Sequence, residues 1–404
     1  MNKPLAGIRV VEVAIWAFVP SAGAVLSDMG ADVIKVEMPA GDPLRQLNTL
    51  GVAPGAKDFV FMWEIFNRGK RSVTIDLNAE GALDLLHKML ETADVFLCSL
   101  LPATRRKLKI DIADITSRHP NLIYAIGNGA GQLGSEGEKG GYDSISFWGR
   151  GGVTSALTPD EFAYPLPMPA PAFGDCLTGA IFAGGICAAI ARRALTGKAS
   201  VVDCSLLGGG MWAMQAAIAG ATILGVDELP KQHRTVLPNP LVASYRTKDD
   251  RFVTLCMLQA QRYWPGFCRA VGRPELAEDA RYATDEARKA NTAECVEEIQ
   301  AIMSTKTLAE WRPILASQEG QWDVVQKAGE LPRDAQAIAN GFIQNVDYGE
   351  GRSMQMVSVP VQFDRQPLKS RPAPELGANN DDVLADLGFN EDEIIDLKVA
   401  GVVF

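Results

Sequence analysis

Histidine is scarce in this 404-residue chain: His87, His119 and His233 are the only three, and none stands in an HxxxH or HxxE spacing. A histidine-centred triad or a zinc centre therefore lacks raw material, and no metal site is expected. The seven cysteines form no CxxC pair and most sit among apolar neighbours, so reduced core thiols are expected rather than a disulfide framework. No GxGxxG follows the first apolar run, which removes the fingerprint of a dinucleotide site. Long apolar runs are missing too. A membrane helix needs roughly 18–20 charge-free residues, and the nearest candidate, Leu177 to Ile190, is shorter and is followed by Arg192-Arg193. The opening MNKPLAGIRVVEV has no signal-peptide core, so the cytoplasm is the expected compartment, with no membrane partner. Positive charge is in deficit: 39 Lys and Arg against 49 Asp and Glu leave a net charge of -10. That balance argues against nucleic acid as a partner, and any anionic ligand must be met by a local basic pocket.

What is present is ample core material, 47% hydrophobic against 22% charged residues, enough for more than one domain. Ile8 to Val13 is a short apolar run, Pro20 to Met29 has helical spacing, and Ala31 to Val36 is β-rich. This is a βαβ unit and implies a parallel sheet, in which ligands gather beyond the carboxyl ends of the strands. The loop Ala14 to Val19 is therefore expected to face a site. Further strands are expected at Ser72–Asp76, Val95–Leu100 and Leu122–Gly127, with a helix over Glu80–Glu91. The cluster Leu206 to Gly210 reads as helix that permits close packing, not as a phosphate loop. Around residue 225 the texture changes. The polar stretch Asp227 to Pro240 precedes a hairpin signal, Leu241–Thr247 and Arg251–Met257 about Lys248-Asp249-Asp250, and then a helix-rich segment. The expected division is a doubly wound, Rossmann-like α/β domain over 1–224, a smaller α+β domain over 225–330, and a return to the first over 331–404. Extended chain is expected at Met354–Phe363, and helix starts at Asn380 and at Asn390 with Glu393.

One residue stands out chemically. In GDCLTGAIFAGGICAAIARRA, Asp175 falls where the N-cap of a long helix would be. Capping alone accounts for an aspartate there. Equally, a helix mouth favours a carboxylate and can hold a developing oxyanion. With a reference pKa near 3.9 the group is ionised at neutral pH and needs no base to act as a nucleophile.

Six segments in order carry a resemblance: PLAGIRVVEV, GADVIKVEMPAGDPLR, NRGKRSVTIDL, KGGYDSISFWGRGG, FGDCLTG and PAPELGANNDDVLADLG. Together they resemble the family III (CaiB/BaiF-like) CoA transferases from end to end. GGYDSISFWGRGGV and NPLVASYRTKDDRFVTLCM are most similar to the branch that activates 2-hydroxy acids such as phenyllactate and 2-hydroxyisocaproate. The resemblance implies a Rossmann-like large domain with an inserted small domain, and two chains interlocked as a homodimer, with a heteromer as the alternative. It implies transfer of CoA from an acyl-CoA to a carboxylic acid, with coenzyme A as substrate and no tightly bound cofactor.

The match of FGDCLTG places the family's nucleophile on Asp175, which would carry a mixed anhydride and then a CoA thioester. For the CoA phosphates the expected cations are Lys70 and Arg71, Arg106 and Lys107 (with Arg105 as a third choice), and Lys139; Ser99 stands where relatives begin a phosphate-binding loop with Asn-Phe. The acyl pocket is expected from Trp16, Ala17, Phe18, Tyr142 and Asp143. Members acting on oxalate have a Gln-Ala pair where Trp16-Ala17-Phe18 stands, so an apolar or aromatic acyl group fits better here than oxalate. Two alternatives remain. One is an α-methylacyl-CoA racemase-like proton exchange, although Gly141-Tyr142-Asp143 lacks the histidine of the racemases' GHD. The other is a non-catalytic subunit of a heteromeric transferase such as the benzylsuccinate enzyme.

Overall fold

A computed structural model describes residues 3–47, 59–231, 235 and 237–404. His233 and part of the linker 227–240 lie outside the described residues. The chain divides into two compact units, Met1–Leu229 with Ala335–Phe404, and Pro230–Asp334; the sequence boundaries stood at 224/225 and 330/331.

The first unit is built on six parallel strands: β1 (Arg9–Val13), β2 (Asp32–Glu37), β3 (Arg71–Thr74), β4 (Val95–Cys98), β5 (Ile123–Asn128) and β6 (Val201–Ser205). Their order is β3-β2-β1-β4-β5-β6. The inner strands β4 and β5 are apolar along nearly their whole length because both faces are covered, whereas β1 and β2 carry Glu12 and Lys35 within apolar runs. Side chains alternate between two cores. Val10, Val33, Leu97 and Ile123 point to one face, under α1 (Phe18–Asp28) and α7 (Phe173–Thr196). Val11, Ile34, Phe96 and Tyr124 point to the other, under α3 (Ala82–Glu91) and α5 (Ile112–Arg118). Shorter helices α2 (Phe61–Asn67), α4 (Pro102–Leu108) and α6 (Val153–Leu157) fill the connections, and α8 (Leu206–Ala213) and α9 (Gln215–Leu224) follow β6. A turn of π-helix, Ser144–Arg150, precedes α6. It places Asp143 at the head of α7.

The C-terminal segment rejoins this unit. It contributes two helices, Asn380–Asp386 and Glu391–Val399, whose Val383, Leu384 and Ile394 join the second core. Asn390 and Glu393 form the expected capping box. Asn380 does not cap: Asn379 takes that position, and the side-chain Oδ1 of Asn380 accepts from the Thr74 N–H at 2.8 Å, tying the returning segment to β3. The 343–357 region is a hairpin, Ile343–Asp347 with Ser353–Val357, shorter than the extended run expected to reach Phe363.

The second unit has an antiparallel sheet, Val242–Arg246, Phe252–Cys256 and Trp322–Val324, in that order. Helices including Ala260–Ala270, Thr292–Met303 and Leu308–Ala316 enclose a core around Trp264, Trp311 and Ile299. The hairpin turn carries Asp250 at φ 57°, a left-handed position that aspartate tolerates.

Helix α7 is longer than the sequence reading allowed. Its 24 residues have a mean hydropathy of 1.6 in their most apolar window, enough by composition to cross a membrane. One side of it is spent on α1: a Cβ at Gly179 would stand 2.6 Å from Ser21 Oγ and 2.9 Å from the Phe18 carbonyl, so the two backbones approach as only glycine permits.

Candidate active site

The strand order reverses between β1 and β4, and in a doubly wound sheet that is where a crevice opens beyond the strand ends. A cavity of about 280 Å³ lies there, lined among others by Trp16, Phe18, Leu101, Lys139, Tyr142 and Asp175. A second, of about 240 Å³, adjoins it through shared Ile15, Leu100 and Thr104 and is lined further by Met38, Asn78 and Lys107.

Asp175 is the third residue of α7, not its cap. The capping position is Ala172, which has a left-handed backbone (φ 57°) and no side chain able to bond the helix. The cap comes from elsewhere in the chain: Asp143 Oδ2 accepts from the N–H groups of Gly174 at 2.8 Å and Asp175 at 3.3 Å. These are donors that a helix start leaves unpaired. The glycine of the FGDC motif is explained by this contact. A Cβ at Gly174 would stand 2.4 Å from Asp143 Oδ1 and 2.3 Å from Phe147 Cγ, so no larger residue lets Asp143 reach the helix.

Two expectations change as a result. Asp143 already uses the Gly174 and Asp175 N–H groups, so they are not waiting for an oxyanion. Asp175 is also not an ordinary carboxylate: burial, and after it the charge of Asp143, push its pKa up to about 7. Burial raises the pKa of Asp143 as well, against the lowering effect of its two backbone donors. A second carboxylate close enough to act on the first disfavours the doubly ionised state.

The loop after β1 is pinned at successive residues. Lys35 Nζ donates to the Ala14 carbonyl at 2.6 Å, Ser99 Oγ accepts from the Ile15 N–H at 3.0 Å, and Asp42 Oδ1 accepts from the Trp16 N–H at 3.1 Å. Trp16 reaches over the cavity and meets Tyr142 edge to face, with centroids 5.8 Å apart. Ala17 is buried, and Phe18 packs inward against Phe182.

The expected phosphate-binding cations separate into two groups. Lys70 is not available: its ammonium is fully buried, 2.8 Å from Glu12 Oε2 and bonded to the Pro20 carbonyl and Asn67 Oδ1. Burial draws its pKa down to about 8, and Glu12 opposes this. Arg71 is not available either. It opens β3 and so lies at the amino edge of the sheet, away from the crevice, forked onto Asp32 (2.9 and 2.6 Å) and paired with Asp386 at 2.7 Å. Both residues precede a strand, and in a parallel sheet only residues following a strand reach the carboxyl edge.

Arg105 is committed to Asp111, the Leu100 carbonyl and Gln132 at 2.8–3.0 Å. Arg106 is exposed and bidentate on Glu138. Lys107 faces the second cavity, where its ammonium bonds Asn78 Oδ1 at 3.2 Å. Lys139 lines the first, paired with Glu136 at 3.3 Å. Sequence reasoning missed the Glu12, Lys35 and Asp42 cluster behind the loop. Its signal was charge at positions inside strand patterns, which only a satisfied buried network tolerates.

The model of CoA-transferase family III matches residues 5–380. The chain belongs to CoA-transferase family III. It is 31% identical to the (R)-2-hydroxy-4-methylpentanoate CoA-transferase of Clostridioides difficile, over 99% of both chains. To the cinnamoyl-CoA:phenyllactate CoA-transferase of Clostridium sporogenes it is also 31% identical, over 97% of this chain and 95% of that one. Among solved structures, a CaiB/BaiF family protein of Brucella suis superposes with a TM-score of 0.82 at 27% identity, covering 96% of this chain and 100% of the other. This family III protein is thus an enzyme of acyl-CoA:carboxylate CoA transfer. The racemase alternative gains nothing from its geometry. Of the described histidines, His87 and His119 pair with each other at 2.9 Å on α3 and beyond α5, and neither lines the Asp175 cavity.

Proposed function

We propose that the enzyme moves CoA from an acyl-CoA donor to an apolar or aromatic 2-hydroxy acid through covalent intermediates on Asp175. The observation that carries this is the place of Asp175, whose carboxyl lines an apolar-walled cavity where the strand order reverses. The ionised Asp175 attacks the donor thioester carbonyl; a C–O bond forms, the C–S bond breaks, and CoA leaves as thiolate with a mixed anhydride on the enzyme. The thiolate then attacks the aspartyl carbonyl, forming aspartyl-CoA and releasing the donor acid as carboxylate. The acceptor carboxylate attacks that thioester, and the same steps in reverse order free the new acyl-CoA and Asp175. The thioester's energy is conserved throughout, so no nucleotide triphosphate enters.

In this reading the adjoining cavities hold the two ends of CoA. The pantetheine arm and acyl group run toward Asp175 in the first, with Lys139 at its rim. The nucleotide end takes the second, with Lys107 supplying charge. The likeness to relatives named for 2-hydroxy acids supports the acceptor class. A homodimer completes the proposal, in the cytoplasm. None of the side chains of α9 (QAAIAGATIL) is buried, and Trp212 on α8, Ile223 on α9 and Ile181 on α7 are 64%, 83% and 49% exposed. A surface this apolar fits burial against a second copy.

The test is to incubate enzyme with 4-methylpentanoyl-CoA and no acceptor, treat with hydroxylamine, and locate the modification by peptide mass. Hydroxamate on Asp175 is expected. Modification at another residue, or full exchange activity in a folded Asp175→Asn variant, would refute the route.

A further inference from the structure

Among the described residues, seven other than glycine have a positive φ, and two of them are apolar: Trp16 (φ 65°) and Ala172 (φ 57°). The other five are Lys109, Asp250, Glu350, Asp364 and Arg365, all polar. The two apolar cases belong to one cluster, with Ala17, Leu44, Met62, Trp63 and Phe66, and Trp16 lines the Asp175 cavity. A bulky residue held in the left-handed region is strained, and persists only where its surroundings over-determine it. For Trp16 the surroundings are explicit. Its N–H is taken by Asp42 Oδ1, the preceding N–H by Ser99 and the Ala14 carbonyl by Lys35, while Lys35 itself is fixed 3.0 Å from Asp42 Oδ2 and 3.2 Å from Glu12 with all three side chains out of water. A buried ionic cluster thus braces a strained backbone whose visible product is one indole ring standing over the cavity, edge to face with Tyr142.

We infer that Trp16 is the specificity-determining residue of the acyl pocket, selecting a flat or branched apolar monocarboxylate and rejecting a dicarboxylate. The inference rests on the transferase reading at Asp175 and goes beyond it in naming what sorts the substrates. An isobutyl or phenyl group removes itself from water against the indole face and the Tyr142 edge. The second carboxylate of a succinyl group would be pressed on that same wall. Among the described residues, the cations lining the cavity are Arg105, spent on Asp111 and Gln132, and Lys139, held by Glu136 at the rim. A charge brought there loses hydration without a partner of its own. Because the loop is pinned at three successive residues, the backbone that carries the ring is held beside the cavity.

The glycine variant provides an unusually clean test, since φ near 65° is free of strain for glycine and Trp16→Gly is expected to fold. Wild type, Trp16→Gly and Trp16→Phe are mixed with 4-methylpentanoyl-CoA or succinyl-CoA. The rate of enzyme–CoA adduct formation is followed by intact mass, and each dissociation constant is measured by calorimetry. Wild type is expected to favour the branched thioester at least about tenfold, the size of effect an apolar pocket delivers. Trp16→Gly should lose most of that ratio with its melting midpoint kept, and Trp16→Phe should restore a large part of it. A wild type indifferent to the two thioesters, or a Trp16→Gly variant with the ratio intact, overturns the inference. If neither thioester yields an adduct, the Asp175 route fails instead, while the ratio of dissociation constants in wild type and Trp16→Gly still decides the role of Trp16.

Discussion

The raised pKa of Asp175 makes the strongest quantitative demand on the proposed route, because in that route the form that attacks a thioester is the ionised one. With a pKa of about 7, about half of the free enzyme carries the nucleophile at pH 7, roughly a tenth at pH 6 and roughly a hundredth at pH 5. The kcat/KM for an acyl-CoA, which reports groups in the free enzyme, should therefore fall tenfold per pH unit below about 7 and level off above it. An aspartate with its ordinary pKa would give a flat profile over the same range. Two influences set the value, burial first and the Asp143 charge second, and they can be separated. Asp143→Asn removes the charge while its amide oxygen can still accept from the Gly174 and Asp175 N–H groups. The limb should then move to lower pH without reaching the profile of an exposed aspartate, since burial remains. The assay is the initial rate of acyl-CoA consumption at limiting concentration from pH 5 to 8.5, with circular dichroism at each pH to show the fold intact. A flat wild-type profile, or a limb unmoved in a folded Asp143→Asn variant, would refute the assignment of the titrating group.

Asp175→Asn should abolish adduct formation yet raise the thermal midpoint at pH 8. An acid whose folded pKa is raised weakens the fold as pH climbs from its unfolded value, near 4, toward 7, so the gain should vanish near pH 4. Gly174→Ala should lower stability by about 1–3 kcal/mol in urea titrations, because its Cβ meets Asp143 and Phe147. Lys70→Met should cost about 3 kcal/mol of stability in the same titrations, since Glu12 loses a buried partner. Lys139→Ala should leave the melting midpoint unchanged and raise the KM for acyl-CoA about tenfold, the worth of one charge-assisted bond.

The large unit was legible because parallel strands buried on both faces announce themselves as apolar runs. The loop after β1 was legible as a site because a βαβ unit has only one functional edge. The same rule, applied strictly, would have removed Lys70 and Arg71, which precede β3 instead of following it. The capping box at Asn390 was readable because it is local, three residues wide. The cap of α7 was not, because its donor and acceptor lie 31 residues apart and meet through a π-turn, Ser144–Arg150, that no short-range pattern specifies. The raised pKa of Asp175 escaped for the same reason: it arises from burial and from Asp143, neither of which is a property of the sequence around FGDC.

The two buried ionic features of the site do different kinds of work, and the difference follows from geometry. In the Lys35, Glu12, Asp42 and Lys70 cluster every charge has an opposite partner within 3.2 Å, so the charges compensate one another and their effect is to hold a loop. Among the described residues no cation stands between Asp143 and Asp175; the backbone donors of α7 satisfy only one oxygen of Asp143, and its other oxygen has no hydrogen-bond partner there. An unsatisfied pair of like groups is costly to the fold. On the proposed route it is also what keeps a carboxylate poorly solvated and ready to be neutralised by acylation, which replaces its charge with a neutral anhydride or thioester. The cluster behind the loop therefore fixes a conformation, and the proposed route draws its reactivity from the carboxyl that the fold leaves without a counter-charge.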